Sequence, residues 1–389
     1  MIVGGAVRDV MLGRRPPDWD LATDLRPAAV ATLFPRVNRA GEKHGTIMVL
    51  TGHGPVEVTT FRGEGPYLDG RRPSTVIFHD DLEADLARRD FTINAIAADL
   101  ATNEFVDPFS GEMDLRRGRV RAVGDPRQRF AEDGLRSLRA IRLAAVLGFE
   151  IDKATKDALP GAVEVLRQVA WERRRDEMAR LLAGAVALAP AVRLLVDSGL
   201  IREVAAELEP APLKAVARLD RLAPDPWLRL AGWATAARLE PHAAAGVATR
   251  WRAGTAVARA IESQTKGYQR LGRRPPTGAA LRLWLAEVGP EAALGAAALA
   301  AALRPDPWQR FPAAVRRTLA RKPCLSLATL AVDGHDLEAA GFFGPAVGRI
   351  LQALLREVLH RPALNQETRL LALAHTLSTA TDPRLALGP

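Results

Sequence analysis

Apolar residues along this 389-residue chain change their period near residue 126. Beyond it Leu135, Leu138, Ile141 and Ala145 recur at helical spacing, as do Leu181, Leu182 and Val186, the signature of helices with one buried face. The remainder is Ala- and Leu-rich and reads as helix almost throughout. Pro-Asp-Pro-Trp at 224–227 and again at 305–308 marks helix starts or loops rather than a repeat. GRRPPTG at 272–278 is a linker or an exposed loop. Before residue 126 the pattern is mixed. PAAVATLF (27–34) predicts a short helix, and Thr46–Leu50 and Val56–Phe61 predict two strands joined by the turn TGHGP. RGEGPYLDGRRPST (62–75) has no apolar period and predicts a loop, of the kind that covers active sites or merely connects elements. ARRDFTINAIAADL (87–100) predicts a helix. Val106 and Val120–Val123 suggest strand edges, with a turn at Asp107-Pro108 and Gly111 and with Asp114-Leu115 between them. The chain thus divides into a mixed head of about 120 residues and a long helical remainder.

Composition narrows the class. Hydrophobic residues make up 48% and charged residues 25%, ordinary proportions for a globular protein. No apolar run reaches membrane-spanning length and no signal peptide is recognisable before Gly4, so a cytoplasmic location is expected. The single cysteine, Cys324, excludes an internal disulfide framework and Cys-based zinc sites. Net charge is +9, from 48 Arg and 6 Lys against 45 acids, which favours a polyanionic partner. The Arg excess fits a GC-rich coding bias, but its distribution is uneven: residues 116–142 hold nine Arg against three acids.

Candidate chemistry begins at VGGAVRDVMLGRRPPDWDLAT (3–23). Gly4 and Gly5 let the backbone approach a ligand closely, and their N–H groups, with those of Ala6, Val7 and Arg8 at a helix start, form a ready phosphate cradle. Gly13 stops that helix and Pro16-Pro17 prevent its continuing. If Asp-Trp-Asp-Leu is a strand, Asp18 and Asp20 share one face and Trp19 takes the other. A phosphate cradle beside two carboxylates that need a cation is the apparatus of phosphoryl or nucleotidyl transfer. Each half also has an ordinary reading, as a tight turn and as a solvated strand end. Glu57 is either a third carboxylate, brought beside Asp18 and Asp20 by an antiparallel neighbour, or a surface glutamate.

Together with KHGT (43–46), VEVTTFR (56–62), YLDGRRP (67–73), RRDFTINA (88–95), DPFSGEMDL (107–115), EDGLRSLRAIR (132–142) and ERRRDEM (172–178), this stretch resembles class II tRNA nucleotidyltransferases and bacterial poly(A) polymerases. The pieces follow the family's order over the first half of the chain. GHDLEAAGFFGPAVGRILQALLREVL (334–359) resembles, more loosely, the tail of bacterial CCA-adding enzymes. The resemblance implies an α+β fold: a nucleotidyltransferase head (1–121) with a mixed or antiparallel sheet and helices, then an all-α neck (122–185), body (186–300) and tail (301–389). It implies template-independent addition of CCA, from CTP and ATP, to the 3′ end of tRNA. Asp18 and Asp20 take the position of the metal-binding pair, with two Mg²⁺ expected, and Glu57 that of the helper carboxylate. Gly4, Gly5 and Arg8 would hold the triphosphate; Arg88, Asp90 and Asn94 would hold the ribose. Asp133 and Arg136, three apart on a helix, would read the base, with Arg139 and Arg142 as further candidates in the nucleotide site. An acceptor beside a guanidinium fork matches the edges of C and A and opposes those of U and G. Tyr67, Asp69, Arg71 and Arg72 belong to the family's flexible loop, and the basic neck and helical tail would hold the tRNA acceptor arm.

Departures and rivals are few. Met1 lies three residues before the glycine pair, where relatives carry a leading helix. WLRLAGWAT (227–235) lacks the His-Asp pair of an appended phosphohydrolase, and adjacent His335 and Asp336 read as a helix cap rather than a metal site. An intact loop argues against CC-only addition, and KHGT argues against poly(A) synthesis. Full CCA addition ranks first, A-only addition second and poly(A) synthesis third. A metal-dependent glycosyltransferase would also use Asp-x-Asp but would not need the Arg-dense stretch. A non-catalytic RNA-binding module would need no acidic pair.

Overall fold

The computed structural model describes residues 1–64, 76–102, 104–304 and 306–381. These residues form two compact units. The first comprises Met1–Asp220 with Pro224–Pro226 and Arg250–Arg252; the second comprises Arg221–Ala223, Trp227–Thr249 and the chain from Ala253 onward.

The first unit opens with β1 (Ile2–Val3), α1 (Gly5–Met11), β2 (Asp20–Thr23), α2 (Pro27–Leu33) and β3 (Val37–Asn38). The hairpin β4 (Thr46–Thr51) and β5 (Gly54–Thr60) stands where the alternating pattern put it. Next come β6 (Arg62–Glu64), β7 (Val76–Phe78), α3 (Leu82–Ala87), β8 (Ala97–Ala98), β9 (Phe105–Val106), α4 (Gly111–Arg116) and β10 (Arg119–Val120). Seven strands form one sheet in the order β3-β4-β5-β2-β1-β8-β9, and β6 and β7 form a separate pair. Within the large sheet β2 and β5 run parallel, while the other neighbouring pairs are antiparallel. Glu57 therefore comes beside Asp20 through a parallel register, not the antiparallel one expected.

Two apolar clusters anchor this sheet. Val3, Ala22, Phe61, Leu86, Ala95 and Ala97 belong to one; Val30 and Ala31 of α2 pack with Ile47, Val49 and Val58 of the hairpin in the other. The helix expected over 87–100 is not formed. α3 ends at Ala87, Phe91 is extended and bridges Ala122, Thr92–Asn94 makes one tight turn, and β8 follows. Ile93, Ala95, Ile96 and Ala97 are all fully buried, and a segment buried on every side carries no period that separates helix from strand. Asp114-Leu115 lies within α4, between β9 and β10, as expected.

The rest of the first unit is helical: α5 (Pro126–Glu132), α6 (Leu135–Leu147), α7 (Lys153–Ala158), α8 (Val163–Gln168) and α9 (Trp171–Gly184) follow, with β11 (Glu150–Ile151) pairing β10. In α6 Leu135, Leu138 and Ile141 are buried, as their spacing predicts.

The second unit is helical throughout its described residues. Trp284, Leu285, Trp308, Phe311 and Val315 centre one core, and Leu337, Phe342, Leu354, Val358 and Leu370 another. Pro226 opens a helix (Pro226–Ala236), as the Pro-Asp-Pro-Trp reading expects. Asp333 caps the helix Gly334–Ala339 and Asp336 returns a bond to the Asp333 N–H, so His335-Asp336 is a capping arrangement. No single helix among the described residues is long and apolar enough to cross a membrane.

Candidate active site

Sheet register and a proline-directed bend bring the carboxylates together. β2 begins at Asp20, so Asp18 is placed by the bend after Pro16-Pro17 and not by a shared strand face, as expected from the alternation. Asp20 is half-buried and Asp18 and Glu57 are exposed. Glu57 is the direct register partner of Asp20, which puts both side chains on one face; its N–H donates to the Trp19 carbonyl at 3.3 Å. Burial raises the Asp20 carboxyl above its ordinary range, and the charges of Asp18 and Glu57 push it further; Arg89 alone opposes them. Such a cluster favours a cation. Among the described residues no three His, Cys, Asp or Glu side chains form a complete cage. The donors present suit a hard divalent ion that takes one or two carboxylates and completes its shell with phosphate oxygens and water.

Beside the carboxylates lies the glycine turn. Gly4 has φ +74° and ψ −137°, a conformation that suits glycine. A Cβ there would lie 2.9 Å from Arg89 Nη1 and 3.8 Å from Asp20 Oδ2. The Gly4 N–H donates to the Ile96 carbonyl at 3.3 Å, so it is not part of an open cradle. Arg8 is tied down as well, donating to Asn94 Oδ1 at 2.7 Å and, through Nε, to Asp9 at 2.8 Å.

From Asn94 a line of polar contacts runs into the helices. Asn94 Nδ2 donates to Asp90 Oδ1 at 3.0 Å, which also accepts the Phe91 N–H at 2.8 Å. Arg139 Nη1 donates to Asp90 Oδ2 at 2.9 Å, and Arg139 and Arg142 both donate to Glu177 on α9. Burial pushes the Asp90 carboxyl up, but Arg139, with the Asn94 amide, outweighs it and holds it at about 2. Arg88 and Arg89 turn to a different acid, the buried Asp85 on α3.

Asp133 and Arg136 do not face each other as a pair. Asp133 accepts the Leu135 N–H at 3.0 Å and Arg173 Nη2 at 2.7 Å. Arg136, only 8% exposed, bonds Glu132 and the carbonyls of Arg129 and Arg88, the last two at 3.1 Å. Sequence reading gave no role to Arg173, Glu177 or Asp85. ERRRDEM marks the first two only as part of a stretch that resembles the family, and nothing local says which acid or base each one meets. Tyr67, Asp69, Arg71 and Arg72 lie outside the described residues.

A glycine turn, a half-buried aspartate flanked by two more carboxylates, and a neighbouring Asp90 ion-paired to Arg139 of the helical extension suit a nucleotidyltransferase head. Residues 1–121 match the family described as Poly A polymerase head domain, and residues 148–211 match the one described as a probable RNA and SrmB-binding site of polymerase A. The CCA-adding enzyme of Geobacillus kaustophilus is 36% identical over 95% of this chain and 91% of its own length. That of Lactiplantibacillus plantarum is 34% identical over 97% and 92%. The crystal structure of the Bacillus stearothermophilus CCA-adding enzyme in complex with CTP superposes with a TM-score of 0.85 at 32% identity, covering 98% of this chain and 94% of that one. The chain belongs to the CCA-adding enzymes, a family of tRNA nucleotidyltransferases. The Thermotoga maritima CCA-adding enzyme complexed with tRNA shares the fold at a TM-score of 0.65 and 18% identity, covering 97% of this chain and 90% of that one.

Proposed function

We propose that this protein adds CCA, from CTP and ATP, to the 3′ end of tRNA by template-independent nucleotidyl transfer centred on Asp20. The observation that carries the reading is the clustered charge of Asp18, Asp20 and Glu57, opposed only in part by Arg89, beside the Gly4–Gly5 turn. The terminal tRNA hydroxyl oxygen bonds to the α-phosphorus of the incoming nucleotide. The bond from that phosphorus to the bridging oxygen breaks, pyrophosphate leaves, and the hydroxyl gives up its proton. Asp18 and Asp20 would hold divalent metal, which we take to be two Mg²⁺; when bound it would lower the hydroxyl's pKa and offset phosphate charge.

The protein's own groups divide the remaining work. The α1 turn at Gly5, with Arg8, receives the triphosphate. Asp90 and Asn94, with Arg88, orient the ribose; Asp90 is ionised at neutral pH and has acceptor capacity for a hydroxyl. Asp133 and Arg136 present an acceptor and a donor to the base, with Arg173 fixing the Asp133 carboxylate. Arg139, held with Arg142 by Glu177, ties the helices to the ribose site, and Arg142 adds a second cation beside it. In this reading residues 1–121 are the head, 122–185 the neck, 186–300 the body and 301–389 the tail, which holds the acceptor arm in the cytoplasm.

The test uses three tRNA substrates, ending before CCA, after C and after CC, with CTP and ATP supplied separately. Full CCA addition extends the first two with CTP and the third with ATP. Extension of only the third would replace this reading with A-only addition. Long A tracts on unrelated RNA would point to poly(A) synthesis.

A further inference from the structure

Asp85 lies outside every motif that carries the proposed chemistry, yet it is 1% exposed and carries four hydrogen bonds. Its Oδ1 accepts from Arg88 Nε at 3.0 Å, from Arg88 Nη2 at 2.7 Å and from the Arg62 N–H at 3.3 Å. Its Oδ2 accepts from Arg89 Nη2 at 3.1 Å. One buried carboxylate thus fixes two consecutive arginines and the first residue of β6.

Each arginine then reaches a different part of the site. Arg89 Nη1 packs over Gly4, where a Cβ would come within 2.9 Å of it, and it is the cation that opposes the charge on Asp20. Its Nε is buried with no hydrogen-bond partner among the described residues, so Asp85 provides the bond that orients this guanidinium. The Arg88 carbonyl accepts from Arg136 Nη2 at 3.1 Å, so the residue whose guanidinium Asp85 holds also contacts, through its backbone, the arginine assigned to the base. A buried carboxylate commonly accepts several hydrogen bonds; what sets this one apart is where its two arginine partners lead. Here both lead into the nucleotide site, from opposite ends.

We propose that Asp85 is a positioning residue for nucleotide binding, setting Arg89 against the carboxylate end of the site and Arg88 against the base end. This rests on the reading of Arg88 to Asn94 as nucleotide-binding. The residue touches neither substrate nor reacting atoms; it acts through the two arginines.

The test compares the full-length protein with Asp85→Asn, Asp85→Glu, Arg89→Gln and the Asp85→Asn/Arg89→Gln double variant. KM and kcat are measured for CTP on tRNA lacking CCA and for ATP on tRNA ending in CC; CTP affinity without tRNA is read by equilibrium dialysis. Asp85→Asn is expected to raise KM for both nucleotides about ten-fold, since a misplacement of about an ångström in positioning groups can cost up to about a hundred-fold. CTP affinity without tRNA should fall in parallel. The double variant should be worse than Arg89→Gln by clearly less than the full Asp85→Asn effect, because the part that acts through Arg89 is already lost and only the part through Arg88 remains. A damaged Arg89→Gln beside an Asp85→Asn with unchanged KM overturns the proposal and leaves the nucleotide-site reading standing. Unchanged KM in both removes that reading as well. If Asp85→Asn does not fold, Asp85→Glu decides. Folded with a raised KM it upholds the proposal; folded with a normal KM, or unfolded too, it reduces Asp85 to a stabilising carboxylate.

Discussion

Replacing Asp90 by Asn removes one negative charge from the line that joins Arg8 and Asn94 to Arg139 and Glu177. In the native protein Asp90 titrates at about 2 against an ordinary 3.8, a difference equivalent to about 2 kcal/mol of stability at neutral pH. Truncating a fully buried pair typically costs about 3–5 kcal/mol. The lower figure is the better one here, because the Arg139 side chain is 36% exposed and retains Glu177. The sign follows from the lowered value: the stabilisation is complete above the ordinary carboxylate range and is lost as pH falls through about 2. Urea unfolding of native protein and Asp90→Asn should therefore differ by about 2 kcal/mol at pH 7 and by about 1 kcal/mol at pH 3. A gap below about 0.5 kcal/mol at pH 7, or one that does not narrow toward pH 3, would refute the view that an ionised Asp90 holds this line together.

The remaining predictions concern the site itself. Asp18→Ala or Asp20→Ala should abolish nucleotide incorporation while leaving tRNA binding, followed by gel shift, within about two-fold, because phosphate contacts that hold RNA are separate from the reacting centre; near-normal incorporation by either variant would contradict the carboxylate assignment. Arg136→Ala should raise misincorporation of U and G relative to C and A, and unchanged selectivity in single-nucleotide assays would place base choice elsewhere. Gly4→Ala should lower stability by about 1–3 kcal/mol from backbone strain alone and, by displacing Arg89, impair incorporation beyond that. Thermal unfolding and primer extension separate the two effects, and a fully active, equally stable variant would show that the turn tolerates a side chain.

Much of the site could be read along the chain because its parts are local. Gly4-Gly5, Asp18, Asp20 and the alternation that places Glu57 on a strand are matters of spacing within a few residues. The hairpin Thr46–Thr60, α2 and the buried face of α6 follow from periods of two and 3.6 for the same reason. The segment 87–100 resisted this reading because burial on all sides erases the contrast on which a period depends.

Tertiary structure alone decided which distant charges meet. Asp133 finds Arg173 forty residues away and Asp90 finds Arg139 forty-nine away, while Arg136, three residues from Asp133, turns to Glu132 and the Arg88 carbonyl instead. The parallel β2–β5 register that seats Glu57 beside Asp20 is of the same kind. Local order sets what each element is. The partner of a long, freely rotating charged side chain is set by how the elements dock, and nearness in sequence does not specify that.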